Sequence, residues 1–177
     1  PYAMFLQNPL PDFSDRSNRD EWMEDPELEF ETLAETVDAV ERASWLSGGQ
    51  RVSLAGLHEL VGSDRDRASV LDVGMGNGGL SRAIATWGAS RGIQVDVLGV
   101  DLLPKAVEAA RERHRRVESV RFECADLFEI DPTRTFDVVH ASLVLHHFPG
   151  NEALRALEKM AELAELGVVV NDLHRHP

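Results

Sequence analysis

The sequence holds a single cysteine, Cys124, so no disulfide forms within its 177 residues. No His/Cys/Asp pattern has the spacing of a structural zinc site, and no bound metal is expected. Cys124 lies in the alternating stretch RFECADLF, which predicts a buried, unreactive thiol. No apolar run approaches the roughly 20 residues that a membrane helix needs, and the N-terminus lacks the basic-then-apolar layout of a signal peptide. The expectation is a cytoplasmic protein without a membrane span. Positive charge is scarce: 18 Lys and Arg face 31 Asp and Glu, a net charge of −13. Nucleic-acid affinity is built on a basic surface that neutralises phosphates, so no nucleic-acid partner is expected. The imbalance concentrates in residues 12 to 41, where twelve acidic side chains meet only Arg16 and Arg19, a local charge of −10. A solvated helix face explains such a run most simply, and a lid over a cationic cofactor is the alternative.

What is present divides the chain in two. Residues 1–67 read as an irregular arm followed by a helical N-terminal extension. Up to about residue 24 the composition is rich in Pro, Asp, Ser and Asn without period. Asp25 can cap a helix with Pro26 in its first turn, and Phe30, Leu33, Val37 and Val40 recur at helical spacing as far as Gly48-Gly49. Leu54, Leu57, Leu60 and Val61 suggest a short second helix ending at Gly62, before a charged loop, SDRDR. Residues 68–177 change to short β-branched runs separated by helical stretches, the pattern of repeated βα units and hence of an α/β, doubly wound, mostly parallel sheet. The expected strands are SVLDV, QVDVLGV, SVRFEC, FDVVHAS and GVVVND. Helices are expected at 79 to 90, 104 to 116 and 151 to 165, the last with Leu154, Leu157, Ala161 and Leu163 on its apolar side.

The strand SVLDV runs into GMGNGGL, so Gly74, Gly76, Gly78 and Gly79 fall on a strand-to-helix turn where a ligand can approach the backbone. Gly74, Gly76 and Gly79 also satisfy G-x-G-x-x-G, and the glycines alone leave a dinucleotide and other ligands open. Asp72 separates them. A carboxylate at the end of this strand repels a pyrophosphate and suits a ligand carrying an ammonium group and a sulfonium centre, as S-adenosylmethionine does. Capping of the glycine turn is the plainer role for the same side chain.

LDVGMGNGG resembles the first motif of class I S-adenosylmethionine-dependent methyltransferases, and LGVDLLPKAVEAAR resembles their second, which places Asp101 where an acidic residue holds both ribose hydroxyls, with Leu102 beside it. CADLF is similar to the third site, near the adenine amino group, through Asp126 and Leu127. FDVVHASLVLHHF resembles the fourth motif, whose backbone around Ala141 and Ser142 faces the methionine end, and its LHHF is similar to ubiquinone and menaquinone biosynthesis methyltransferases. The resemblance covers roughly residues 68 to 173 and implies a Rossmann-like methyltransferase fold, with S-adenosylmethionine as cofactor and S-adenosylhomocysteine as product. The family normally continues past the fifth strand with a helix and an antiparallel strand pair, which the sequence ending NDLHRHP lacks.

His140, His146 and His147 are expected to cluster at the mouth of the fourth strand, with His146 and His147 as candidate general bases for a hydroxyl acceptor. Trp22, Trp45 and Trp87 read as packing residues, although Trp22 on the arm could close over a ligand. The functional reading is a methyltransferase acting on a small molecule, with O- or C-methylation of a quinol, phenol or polyketide-like ring suggested by the resemblance. A non-catalytic cofactor-binding or regulatory subunit, as a homodimer or with a partner chain, is the alternative. An NAD(P)-dependent oxidoreductase is a more distant third.

Overall fold

The computed structural model describes residues 48–172 together with Ala39. The expected arm, nearly all of the first amphipathic helix, Trp22, Trp45, His174 and His176 lie outside the described residues. The element order is α1 (Gly49–Val61), β1 (Arg67–Val73), α2 (Gly79–Ala89), β2 (Gln94–Asp101), α3 (Pro104–Arg113), β3 (Val120–Cys124), β4 (Phe136–Ser142), α4 (Glu152–Leu163) and β5 (Ala164–Asn171). Single 3₁₀ turns follow β3 at Leu127–Glu129 and β4 at Leu145–His147.

The five strands form one sheet in the order β3-β2-β1-β4-β5, every pair parallel. Each expected strand and each of the three later helices is present. The strands read as near-continuous apolar runs because both faces are covered. On one face, Val70, Val97, Val138 and Val169 pack with Leu57 of α1, Ile84 and Trp87 of α2, and Val107 of α3. On the other, Leu71, Leu98 and Val139 pack with Ala156, Met160 and Leu163 of α4. At roughly 1.5–3 kcal/mol for each fully buried large apolar side chain, these two layers supply the main driving force for the fold.

Three expectations change. The helix expected over 104 to 116 ends at Arg113, where His114 leaves helical geometry and turns its ring to within 3.0 Å of the Asn77 carbonyl. On α4 the buried stripe is Ala156, Met160 and Leu163, while Leu154 and Ala161 are exposed. Several apolar residues compete for the inner face there, and Met160, absent from the expected set, wins the central position. Cys124 is exposed rather than buried. It ends an edge strand and leans along the surface, its Sγ 3.6 Å from the Leu102 carbonyl oxygen.

Candidate active site

In the order β3-β2-β1-β4-β5, the crossovers leave β1 toward β2 on one side, while β4 and β5 lie on the other. The crevice between the carboxyl ends of β1 and β4 is therefore the topological switch point, where ligands bind in open parallel sheets. Every candidate site residue lies in or just after the carboxyl end of β1, β2, β3 or β4.

The glycine turn is built for its own neighbours. Gly74, Gly76 and Gly78 have φ of 64°, 54° and 75°, backbone that side chains rarely adopt. A Cβ on Gly74 would sit 2.4 Å from a Val144 methyl, and one on Gly78 would sit 2.6 Å from the Phe122 ring. The Asn77 side chain accepts from the Gly79 N–H at 3.0 Å and opens α2.

Asp101, the last residue of β2, accepts from the Gly76 N–H and from the Leu103 N–H, each at 3.0 Å. An ionised carboxylate has about four lone-pair sites, so two remain for a ligand's hydroxyls. Burial pushes the Asp101 carboxyl above the ordinary aspartate range; the two backbone hydrogen bonds and the charge of His147 oppose the shift, and the charge of Asp72 adds to it. Asp72 and His147 thus both act on the carboxylate expected to hold a ribose.

Asp72 is almost wholly buried, with both oxygens engaged. Ser81 of α2 donates to Oδ2 at 2.5 Å, and His140 Nδ1 lies 2.8 Å from Oδ1. His140 Nε2 is 3.0 Å from Ser53 Oγ, which also receives the Asn171 side-chain amide at 3.3 Å. The partners of Asp72 are thus side chains, and it does not cap the glycine turn through backbone N–H groups. His140 does not sit at the strand mouth with the other histidines: it is inside β4, level with Asp72, and fully buried against α1.

Asp126 accepts from the Phe128 N–H at 2.9 Å and starts the 3₁₀ turn in which Leu127 is buried. Leu102, by contrast, is 63% exposed beside Asp101. Ala141 is buried in β4, and Ser142 ends that strand, level with Asn171. Leu143 then takes a left-handed conformation, φ 56°, the only such non-glycine residue described, and turns the chain toward His146 and His147. These two rings lie 4.1 Å apart. His146 Nδ1 is 2.7 Å from Asp172 Oδ1, and the His146 backbone N–H donates to Oδ2 at 3.2 Å.

Sequence reasoning missed Ser53, Ser81, Asn171 and Asp172. Only Asn171 and Asp172, the two polar residues that end the expected strand GVVVND, offered a signal. Among the described residues no group of three His, Cys, Asp or Glu is arranged to hold a metal ion. No described helix is long and apolar enough to cross a membrane.

A glycine turn after β1, an acidic residue ending β2 and a ligand crevice at the switch point define a nucleoside-binding α/β domain of the class I methyltransferase type. The family model described as "Methyltransferase domain" matches residues 70–167, more than half of the chain, and the chain belongs to this family of S-adenosylmethionine-dependent enzymes. It is 37% identical over 84 residues to the ribosomal protein L11 methyltransferase of Aquifex aeolicus (strain VF5). That match spans 48% of this chain and 32% of the relative, about a third of its length. Among solved structures, the complex titled DhpI-SAM-HEP is similar with a TM-score of 0.62 and 24% identity, over 83% of this chain and 64% of that one. A chain from the complex of the Haloferax volcanii Trm112 methyltransferase activator with a methyltransferase gives a TM-score of 0.54 and 20% identity, over 77% of this chain and 55% of that one.

Proposed function

We propose that this chain transfers a methyl group from S-adenosylmethionine to a small, non-polyanionic acceptor, an oxygen or carbon of a quinol, phenol or polyketide-like ring. The observation that supports this reading best is the meeting of Asp101, the glycine turn and the two-histidine turn around one crevice. The cofactor supplies a methyl group on a sulfonium, with a neutral thioether as leaving group. The residues of the chain bind, align and desolvate.

Asp101 offers its remaining lone pairs to the ribose hydroxyls, with Leu102 an exposed apolar surface alongside. Asp126 and Leu127 border the adenine, and the backbone of Ala141 and Ser142 borders the methionine end. Asp72 acts through its field rather than by contact, since its oxygens are engaged by Ser81 and His140 while its charge still bears on Asp101. A buried negative charge there favours a cationic ligand over a pyrophosphate. His146 or His147 takes the proton that a hydroxyl acceptor must lose.

The test measures S-adenosylhomocysteine release with catechol and hydroquinone as methyl acceptors. His146→Ala or His147→Ala should slow turnover by about 10²–10⁴-fold without loss of cofactor affinity. Full rates in both variants would leave alignment and desolvation as the whole mechanism. The likeness to a chain solved with an activator favours a second reading, in which turnover requires a partner chain or a second copy. In that case S-adenosylhomocysteine binds normally, and methyl transfer appears only when the partner is added.

A further inference from the structure

We infer that Asp172 is a positioning residue for methyl transfer: it fixes His146 as the Nδ1–H tautomer, so that Nε2 carries the lone pair that receives the acceptor's proton. The inference rests on the methyltransferase reading above and selects one histidine of the pair.

Asp172 grips His146 at two points, through the ring Nδ1 at 2.7 Å and the backbone N–H at 3.2 Å. An ionised carboxylate can only accept, so Nδ1 must be the nitrogen bearing hydrogen, and a neutral ring then has its basic lone pair on Nε2. The fold prepares this contact from both sides. The pairing of β4 with β5 sets Ser142 level with Asn171, and the Leu143 N–H donates to the Asn171 carbonyl at 2.9 Å. The left-handed turn at Leu143 then brings the 3₁₀ turn back over the end of β5, where Asp172 follows directly. Both His146 and Asp172 side chains are mostly buried, 17% and 15% exposed, so the contact is shielded from solvent far better than a surface ion pair. The neighbouring His147 ring lies 4.1 Å from that of His146, and its charge bears on Asp101.

In the transfer, the acceptor O–H bond breaks and its proton passes to Nε2. The oxygen pair forms the new O–CH₃ bond, and the C–S bonding pair stays on sulfur. The imidazolium left behind is stabilised by Asp172 until it returns the proton to water.

The experiment uses the full chain with bound S-adenosylhomocysteine and ¹⁵N-labelled histidine. The His146 ring signals are assigned by their loss in His146→Gln. Nitrogen shifts measured at a pH where the ring is neutral should show hydrogen on Nδ1 in the wild type. In Asp172→Asn the side-chain amide donates to Nδ1, and hydrogen should move to Nε2; Asp172→Glu should keep the wild-type pattern. With catechol as acceptor, kcat should fall about 10²–10⁴-fold in Asp172→Asn, with KM and S-adenosylhomocysteine affinity changed less than about twofold and part of the rate regained in Asp172→Glu. Hydrogen on Nε2 in the wild type, or an Nδ1–H ring in Asp172→Asn, overturns the inference. If the tautomers behave as stated and the wild type still leaves catechol unmethylated, the acceptor class of the previous section fails and the role of Asp172 in fixing the ring stands.

Discussion

Asp101 carries two demands that pull in opposite directions. It must be ionised to accept hydroxyl protons, yet burial holds its carboxyl above the ordinary aspartate range. In the unliganded protein a raised carboxyl pKa means that the fold binds this proton more tightly than the unfolded chain does. The stabilising contribution of Asp101 is therefore fully present below the ordinary aspartate pKa and is lost as pH rises through the raised value. Ligand binding runs the other way: hydroxyl donors favour the charged form, so affinity should fall as pH drops through the raised value. Isothermal titration of S-adenosylhomocysteine across pH reads this directly. The midpoint of the loss should lie above the ordinary aspartate range, and within that window binding should release protons. Asp101→Ala should weaken binding by about 1.5–3 kcal/mol and abolish that midpoint, the scale of hydrogen bonds to a charged group. An affinity independent of both pH and the substitution would remove Asp101 from the site.

At the scale of elements, the buried chain Ser81–Asp72–His140–Ser53 ties four elements of the fold together. It links β1 to α2 through Ser81, to β4 through His140, and onward to α1 through Ser53. His140→Ala removes the partner of a carboxylate that has almost no access to water, so the cost should be about 3–5 kcal/mol in chemical denaturation. Replacing Asp72 by Asn in the same background should cost far less than it does alone, because the two groups share one interaction. Additive losses in that double-mutant cycle would contradict the coupling.

The elements themselves were legible because their signals are local. Runs such as VLDV and FDVVHA announce strands buried on both faces, and Gly62 and Pro104 mark helix ends. The alternation Val70, Asp72 in β1 also assigns Asp72 to the face covered by α1 and α2, a clue to its burial that only the structure made readable. The partners were not legible, because no local pattern joins Ser53 to His140 across 87 positions or His146 to Asp172 across 26. The α4 stripe was misjudged for a related reason: with Leu154 on the outer face and Met160 beside Leu163 on the inner one, hydrophobicity alone does not say which apolar residues face the sheet.

For the whole molecule, the strand order matters more than any one side chain. It opens a crevice between β1 and β4 and delivers to it the glycine turn, Asp101 and the histidine turn from separate strands. The same glycine spacing formally fits a dinucleotide fingerprint, and Asp101 would suit the ribose of either ligand, so the decision falls to the charge of Asp72, which opposes a pyrophosphate and favours a cationic nucleoside. Calorimetry of the full chain with S-adenosylhomocysteine and, separately, with NADH tests that choice most directly. The account predicts micromolar binding of S-adenosylhomocysteine and none of NADH; tight NADH binding without any response to S-adenosylhomocysteine would contradict it.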